Sequence, residues 1–168
     1  MTELRKLTPG KLLALDYGTV RFGFAISDEE QKFSFPLENY NRKNIDQDFQ
    51  KIIQLIQSES IQGIVIGLPN HLDGRESQKS KEIKKFVQQL ITLVSIPIYY
   101  FDERFTSTMA EEILWNAGLS HKKRKQKRDS IAAQIILRSY LEAGCPANEW
   151  KTFLKENQKL TSDNLTQS

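Results

Sequence analysis

Apolar and polar positions change period several times along the chain, and each change marks an element. "KLLALD" (11–16) and "RFGFAISD" (21–28) are short apolar runs joined by "YGTV", and "KFSFPLENY" (32–40) continues at strand period. The three predict an antiparallel meander. From Ile45 to Ser58 the residues Ile45, Phe49, Ile52, Ile53 and Ile56 recur at helical spacing, and "GIVIGLP" (63–69) then reads as a buried strand bounded by glycine and proline. Ile83, Phe86, Val87, Leu90 and Val94 carry a second helix, and "IPIYYFDE" (96–103) carries a strand with a proline near its start. Two more helices are expected. One runs from about Ser107 to Asn116 and stops near Gly118; the other runs from Asp129 to Glu142, stops at Gly144, and has Ala132, Ala133, Ile136, Leu137, Tyr140 and Leu141 as its stripe.

Three meandering strands followed by alternating helix and strand predict an α/β fold: a mixed sheet with helices on its faces and right-handed crossovers between the later strands. At 168 residues the chain fits one domain. That domain is expected over 1–145. The stretch 146–168 is polar and ends in "TSDNLTQS", which predicts at most a short helix and then a frayed tail.

Composition narrows the class. With 39% hydrophobic and 27% charged residues, and no apolar run near the roughly 20 residues of a membrane helix, the chain reads as soluble, with no membrane partner. The start, "MTELRKLTPG", lacks the apolar core of a secretory signal, so a cytoplasmic location is expected. The single cysteine, Cys145, has no partner for an internal disulfide and no histidine or cysteine neighbours at ligand spacing. Net charge is only +3, but "HKKRKQKR" (121–128) packs six cationic side chains into eight residues and abuts Asp129. Read as a basic loop before the last helix, it makes Lys123, Arg124, Lys125 and Lys127 candidates for phosphate contact.

The carboxylates fall at informative places. Asp16 ends the first strand, Asp102 and Glu103 end the last, and Asp129 opens the final helix. Sites in open α/β sheets form outside the carboxyl ends of the strands, so these groups converge if the strands are parallel neighbours. Asp16 alone reads first as a turn former, with a phosphate-turn residue and a metal ligand as the other readings; Asp102 and Glu103 alone are an exposed strand end; Asp129 alone is a helix-start carboxylate. Together they make a cluster whose mutual repulsion a cation relieves, and oxygen-only ligands suit Mg2+ or Mn2+ better than zinc. Two such ions activate water and stabilise the leaving oxygen of a phosphodiester. His71 and His121 lack the company of a catalytic dyad, which argues against acyl transfer. Arg104 beside the acidic pair, and Arg75 in the loop "GLPNHLDGRES" (67–77) with Gly74, are candidates for a substrate backbone.

"LALDYGTVRFGFAISD", "VIGLPNHLDGRESQKS", "YYFDERFTS" and "RDSIAAQIILRSYLE", in that order, resemble the YqgF family, described both as Holliday junction resolvases and as nucleases that process pre-16S ribosomal RNA. The likeness spans about Lys11 to Ala143. It implies a ribonuclease H-like fold, with a five-stranded mixed sheet and helices on both sides, and a metal-dependent nuclease site. By motif, Asp16 matches the first-strand aspartate, Glu103 the strand-end acid with Asp102 beside it, and Asp129 the helix-start aspartate; Asp16, Glu103 and Asp129 are thereby implied as ligands of Mg2+ or Mn2+. The substrate implied is the 5′ end of pre-16S RNA, with a four-way DNA junction as the alternative. One departure is visible. The family favours an apolar residue before the helix-start aspartate, and here Arg128 stands there.

"LDYGT" also resembles the first phosphate turn of the actin, Hsp70 and sugar-kinase superfamily, but that ATP cleft needs two such domains and this chain supplies one. A non-catalytic RNA-binding module is a second alternative; its affinity would fall with salt but need no divalent ion. Phe105 and Trp115 are positioned to stack bases, although their spacing reads better as core. Oligomeric state is left open between a monomer and a weak homodimer.

Overall fold

The computed structural model describes residues 9–69, 76–105, 112, 118 and 120–166. Five strands, β1 (Lys11–Tyr17), β2 (Arg21–Ser27), β3 (Ser34–Asn41), β4 (Ile61–Leu68) and β5 (Ile98–Asp102), form one sheet in the order β3-β2-β1-β4-β5. The first three pair antiparallel, while β1, β4 and β5 run parallel. Pro36 is tolerated because β3 is an edge strand.

Among the described residues four long helices pack with the sheet: α1 (Ile45–Ser58), α2 (Gln78–Leu93), α3 (His121–Glu142) and α4 (Trp150–Thr166). Alternation along β1 sorts the core into two layers. Leu13, Leu15 and Tyr17 pack with Phe49, Ile52, Ile83, Phe86 and Leu90 from α1 and α2. Leu12 and Ala14 pack on the other face with Ala133, Ile136, Leu137 and Tyr140 of α3. Asp16 continues the Leu12 and Ala14 parity, so the strand pattern aims it toward α3.

Two expectations need correction. The basic stretch is not a loop before a helix starting at Asp129: α3 begins at His121, and Ser120 caps it by accepting from the Lys123 N–H at 3.3 Å. Lysine, arginine and glutamine are strong helix formers, and the first two turns contain no apolar residue. They therefore carry no periodicity to read. The C-terminal stretch is likewise more than a short helix and a tail. α4 has 17 residues, and Trp150 and Leu154 are buried, with Trp150 set edge-on to Tyr100 at 5.7 Å between ring centres. Its first turn docks the helix, with Trp150 and Leu154 in the core and Phe153 packed against it. The helix expected over 107–116 lies outside the described residues.

Candidate active site

The site is built around Asp16 near the end of β1. In the sheet, Asp16 pairs with Gly23 of β2, Gly23 pairs with Asn39 of β3, and Gly67 of β4 lies one residue beyond the Leu15–Ile66 pair. A glycine thus stands on each side of the aspartate, and each makes room for a different partner. A Cβ on Gly23 would lie 1.9 Å from the Asp129 carbonyl oxygen, so only glycine lets the backbone of α3 cross β2 here. The Asn39 side chain fixes that crossing by accepting from the Ser130 N–H at 2.8 Å. A Cβ on Gly67 would lie 2.6 Å from Glu103 Oε1 and 2.7 Å from Ile136 Cδ1, so the Glu103 carboxylate rests in the space that the glycine leaves.

This arrangement brings Asp16, Glu103 and Asp129 to one edge of one face. The electrostatics agree. The Glu103 carboxyl is pushed up to about 7, first by burial, then by the charge of Asp16 and, more weakly, Asp102, against the pull of Lys79. Asp16 is also held above the ordinary carboxylate range, again by burial first, with Lys79 opposing and Asp129 reinforcing the rise. Lys79, whose charge reaches both carboxyls, is singled out by no pattern in the chain. It lies in the first turn of α2, which is tied to the end of β4 by Ser80 Oγ donating to the Pro69 carbonyl.

Asp102 has a different role from its neighbour. Its carboxylate receives Arg104 in a forked pair, with Nη2 to Oδ2 at 2.6 Å and Nε to Oδ1 at 3.1 Å, and also the Arg104 N–H at 2.9 Å. This locks the short 3-10 turn Glu103–Phe105 and leaves Glu103 as the acid that faces Asp16. Phe105 is not core: its side chain is 70% exposed, with the Arg104 guanidinium 5.8 Å from its ring centre. On the other side of the sheet, Arg42 braces the turn after Asp16. It donates to the Gly18 carbonyl at 3.1 Å, pairs with buried Asp48 at 2.9 Å, and covers the rings of Tyr17 and Phe22.

An oxygen-only set at a partly buried edge fits a hard divalent ion of the Mg2+ or Mn2+ kind, because a cation would relieve both the burial and the repulsion that raise Asp16 and Glu103. Asp16, Glu103 and Asp129 are the residues that would hold it. Among the described residues no three such side chains already stand close enough to share one ion. Asp129 is engaged elsewhere: its Oδ2 accepts from Arg21 Nε at 2.8 Å.

Of the expected nucleic-acid contacts, Lys123 and Lys127 are exposed along the first turns of α3. The side chains of Arg124 and Lys125 lie outside the described residues, as do His71, Gly74, Arg75 and Trp115. Among the described residues no helix is long and apolar enough to cross a membrane.

Comparison with known proteins agrees with the fold and the motifs. A protein of Rhodopirellula baltica named "Putative pre-16S rRNA nuclease" is 44% identical over 134 residues, 80% of this chain and 78% of its own. A protein of Maridesulfovibrio salexigens with the same name is 42% identical over 131 residues, 78% of this chain and 97% of its own. Among solved structures, T. thermophilus RuvC in complex with a Holliday junction substrate superposes with a TM-score of 0.56 at 9% identity, over 83% of this chain and 99% of that one. The Fowlpox virus resolvase with its junction DNA gives 0.50 at 11% identity, over 79% and 97%. At such identities the likeness is one of fold. The family model described as "RuvX: Holliday junction resolvase" matches residues 10–143, and the chain belongs to that family.

Proposed function

We propose that the chain is a nuclease that hydrolyses phosphodiester bonds with the help of Mg2+ or Mn2+, and that its substrate is the 5′ end of pre-16S ribosomal RNA in the cytoplasm. The observation that carries the reading is the row in which Asp16 stands between two glycines, one admitting the Asp129 backbone and the other the Glu103 carboxylate. The names of the relatives support the choice of RNA.

When bound, such an ion supplies an activated water and charge stabilisation of the leaving oxygen. The chain's own residues do the rest. Glu103, whose carboxyl is held up to about 7, would offer its carboxylate to the ion once deprotonated. Asp102 fixes the turn that aims Glu103 and holds the Arg104 guanidinium beside the edge where a phosphate would lie. Exposed Phe105 offers a face on which an unpaired base can stack, a mode suited to single-stranded RNA.

The test is cleavage of labelled pre-16S RNA and of a four-way DNA junction, in parallel, with magnesium or with chelator. The expected result is magnesium-dependent cleavage of the RNA, reduced about a hundredfold or more by Asp16→Asn. Cleavage of the junction alone would transfer the chemistry to DNA. Binding without cleavage of either would leave only an RNA-binding module and defeat the nuclease reading.

A further inference from the structure

Arg21 opens β2 two residues before Gly23 and so shares its face of the sheet, the face that α3 crosses. Its Nε donates to Asp129 Oδ2 at 2.8 Å, joining residues 108 apart in sequence. The arginine side chain is 54% exposed and the aspartate 25%, so the pair sits at the mouth of the site rather than within the core. Asp129 therefore serves two neighbours. Its backbone is seated on Gly23 beside Asp16, while its carboxylate is held by a cation.

We infer that Arg21 is a positioning residue: in the metal-free chain it holds the Asp129 carboxylate away from Asp16 and Glu103, and on metal binding it passes to a phosphate of the substrate. The inference rests on the metal-nuclease reading above. A half-exposed ion pair is worth about a fivefold preference at the strong end, which a divalent ion coordinated by two or three carboxylates exceeds. The released guanidinium remains at the same edge, and its planar fork matches two phosphate oxygens. Because phosphate and Asp129 compete for Arg21, and Arg21 and the ion compete for Asp129, phosphate binding and ion binding favour each other by the same factor. The empty-handed chain is thereby kept from assembling its three acids without a counter-charge, and substrate helps to complete the site.

The decisive measurement is calorimetric titration of Mn2+ into the full chain without nucleic acid. Arg21→Ala is expected to bind Mn2+ about fivefold tighter than wild type, Arg21→Lys to fall between them, and Arg128→Ala, a neighbouring charge deletion, to stay within about twofold of wild type. In a second arm, anisotropy of a short single-stranded RNA with Ca2+ should show tightening on addition of the ion, by a smaller factor in Arg21→Ala. An Arg21→Ala chain of wild-type melting temperature that binds Mn2+ no tighter overturns the inference and leaves the nuclease reading standing. Equal tightening in Arg128→Ala also overturns it, since net charge would then suffice. Failure of both wild type and Arg21→Ala to take up Mn2+ overturns the inference together with the reading it rests on.

Discussion

Glu103 keeps its proton to about pH 7 because burial and the charge of Asp16 both disfavour the carboxylate. Its folded value lies above the ordinary one of 4.5, so between those limits the folded chain binds more protons than the unfolded chain. The stabilisation is complete below about pH 4.5 and is lost as pH rises through 7, to the extent of about 2 to 3 kcal/mol. Glu103→Gln removes the titration. In chelator, the wild-type melting temperature should therefore fall relative to that of Glu103→Gln between pH 5 and pH 8, and Mn2+ at pH 8 should restore only wild type; parallel melting curves would disprove this. The acids were readable in the sequence because a carboxylate at a strand end is conspicuous whatever lies across from it. Lys79 and Arg21 were not, since a cation acquires its role only from the carboxylate it faces, and Asp129 meets Arg21 from 108 residues away.

At the scale of elements, the mixed sheet followed from hydrophobic period, whereas the order that juxtaposes β1, β4 and β5 is seen only in the fold, because period does not say which strands pair. The start of α3 did not follow from period either, because its first turns contain no apolar residue and period measures burial rather than helicity. Gly23 and Gly67 look alike in sequence, each a glycine inside an apolar run, yet the neighbours that a methyl group would meet are of different kinds. At Gly23 the obstacle is the backbone of α3, which cannot yield without lifting the helix from β2; at Gly67 it is the ends of two side chains, Glu103 and Ile136. Gly23→Ala should accordingly cost about 3 kcal/mol in denaturant unfolding. Gly67→Ala should cost about 1 kcal/mol or less while weakening Mn2+ binding about tenfold by displacing the Glu103 carboxylate. The reverse order of the two stabilities would refute this account of how the row is assembled.

For the whole molecule, a net charge of +3 conceals a division of labour. The acids gather where β1, β4 and β5 end, while the cations of 121–128 ride on the same helix as Asp129, so that one rigid element carries both. A loop could fold its charges back onto the acids, whereas a helix holds them at a fixed distance from Asp129. Lys123 and Lys127 are one turn apart and exposed on the helix that leads to Asp129. Neutralising Lys123, Arg124, Lys125 and Lys127 together should reduce the slope of log affinity against log salt for single-stranded RNA by about 2 to 3, at roughly 0.7 for each phosphate that is no longer neutralised. If these cations position the substrate and take no part in the chemistry, saturating RNA should recover most of the cleavage rate in the variant. An unchanged slope would remove the basic turns of α3 from the binding surface, and a rate that saturation does not restore would place them in the reaction itself.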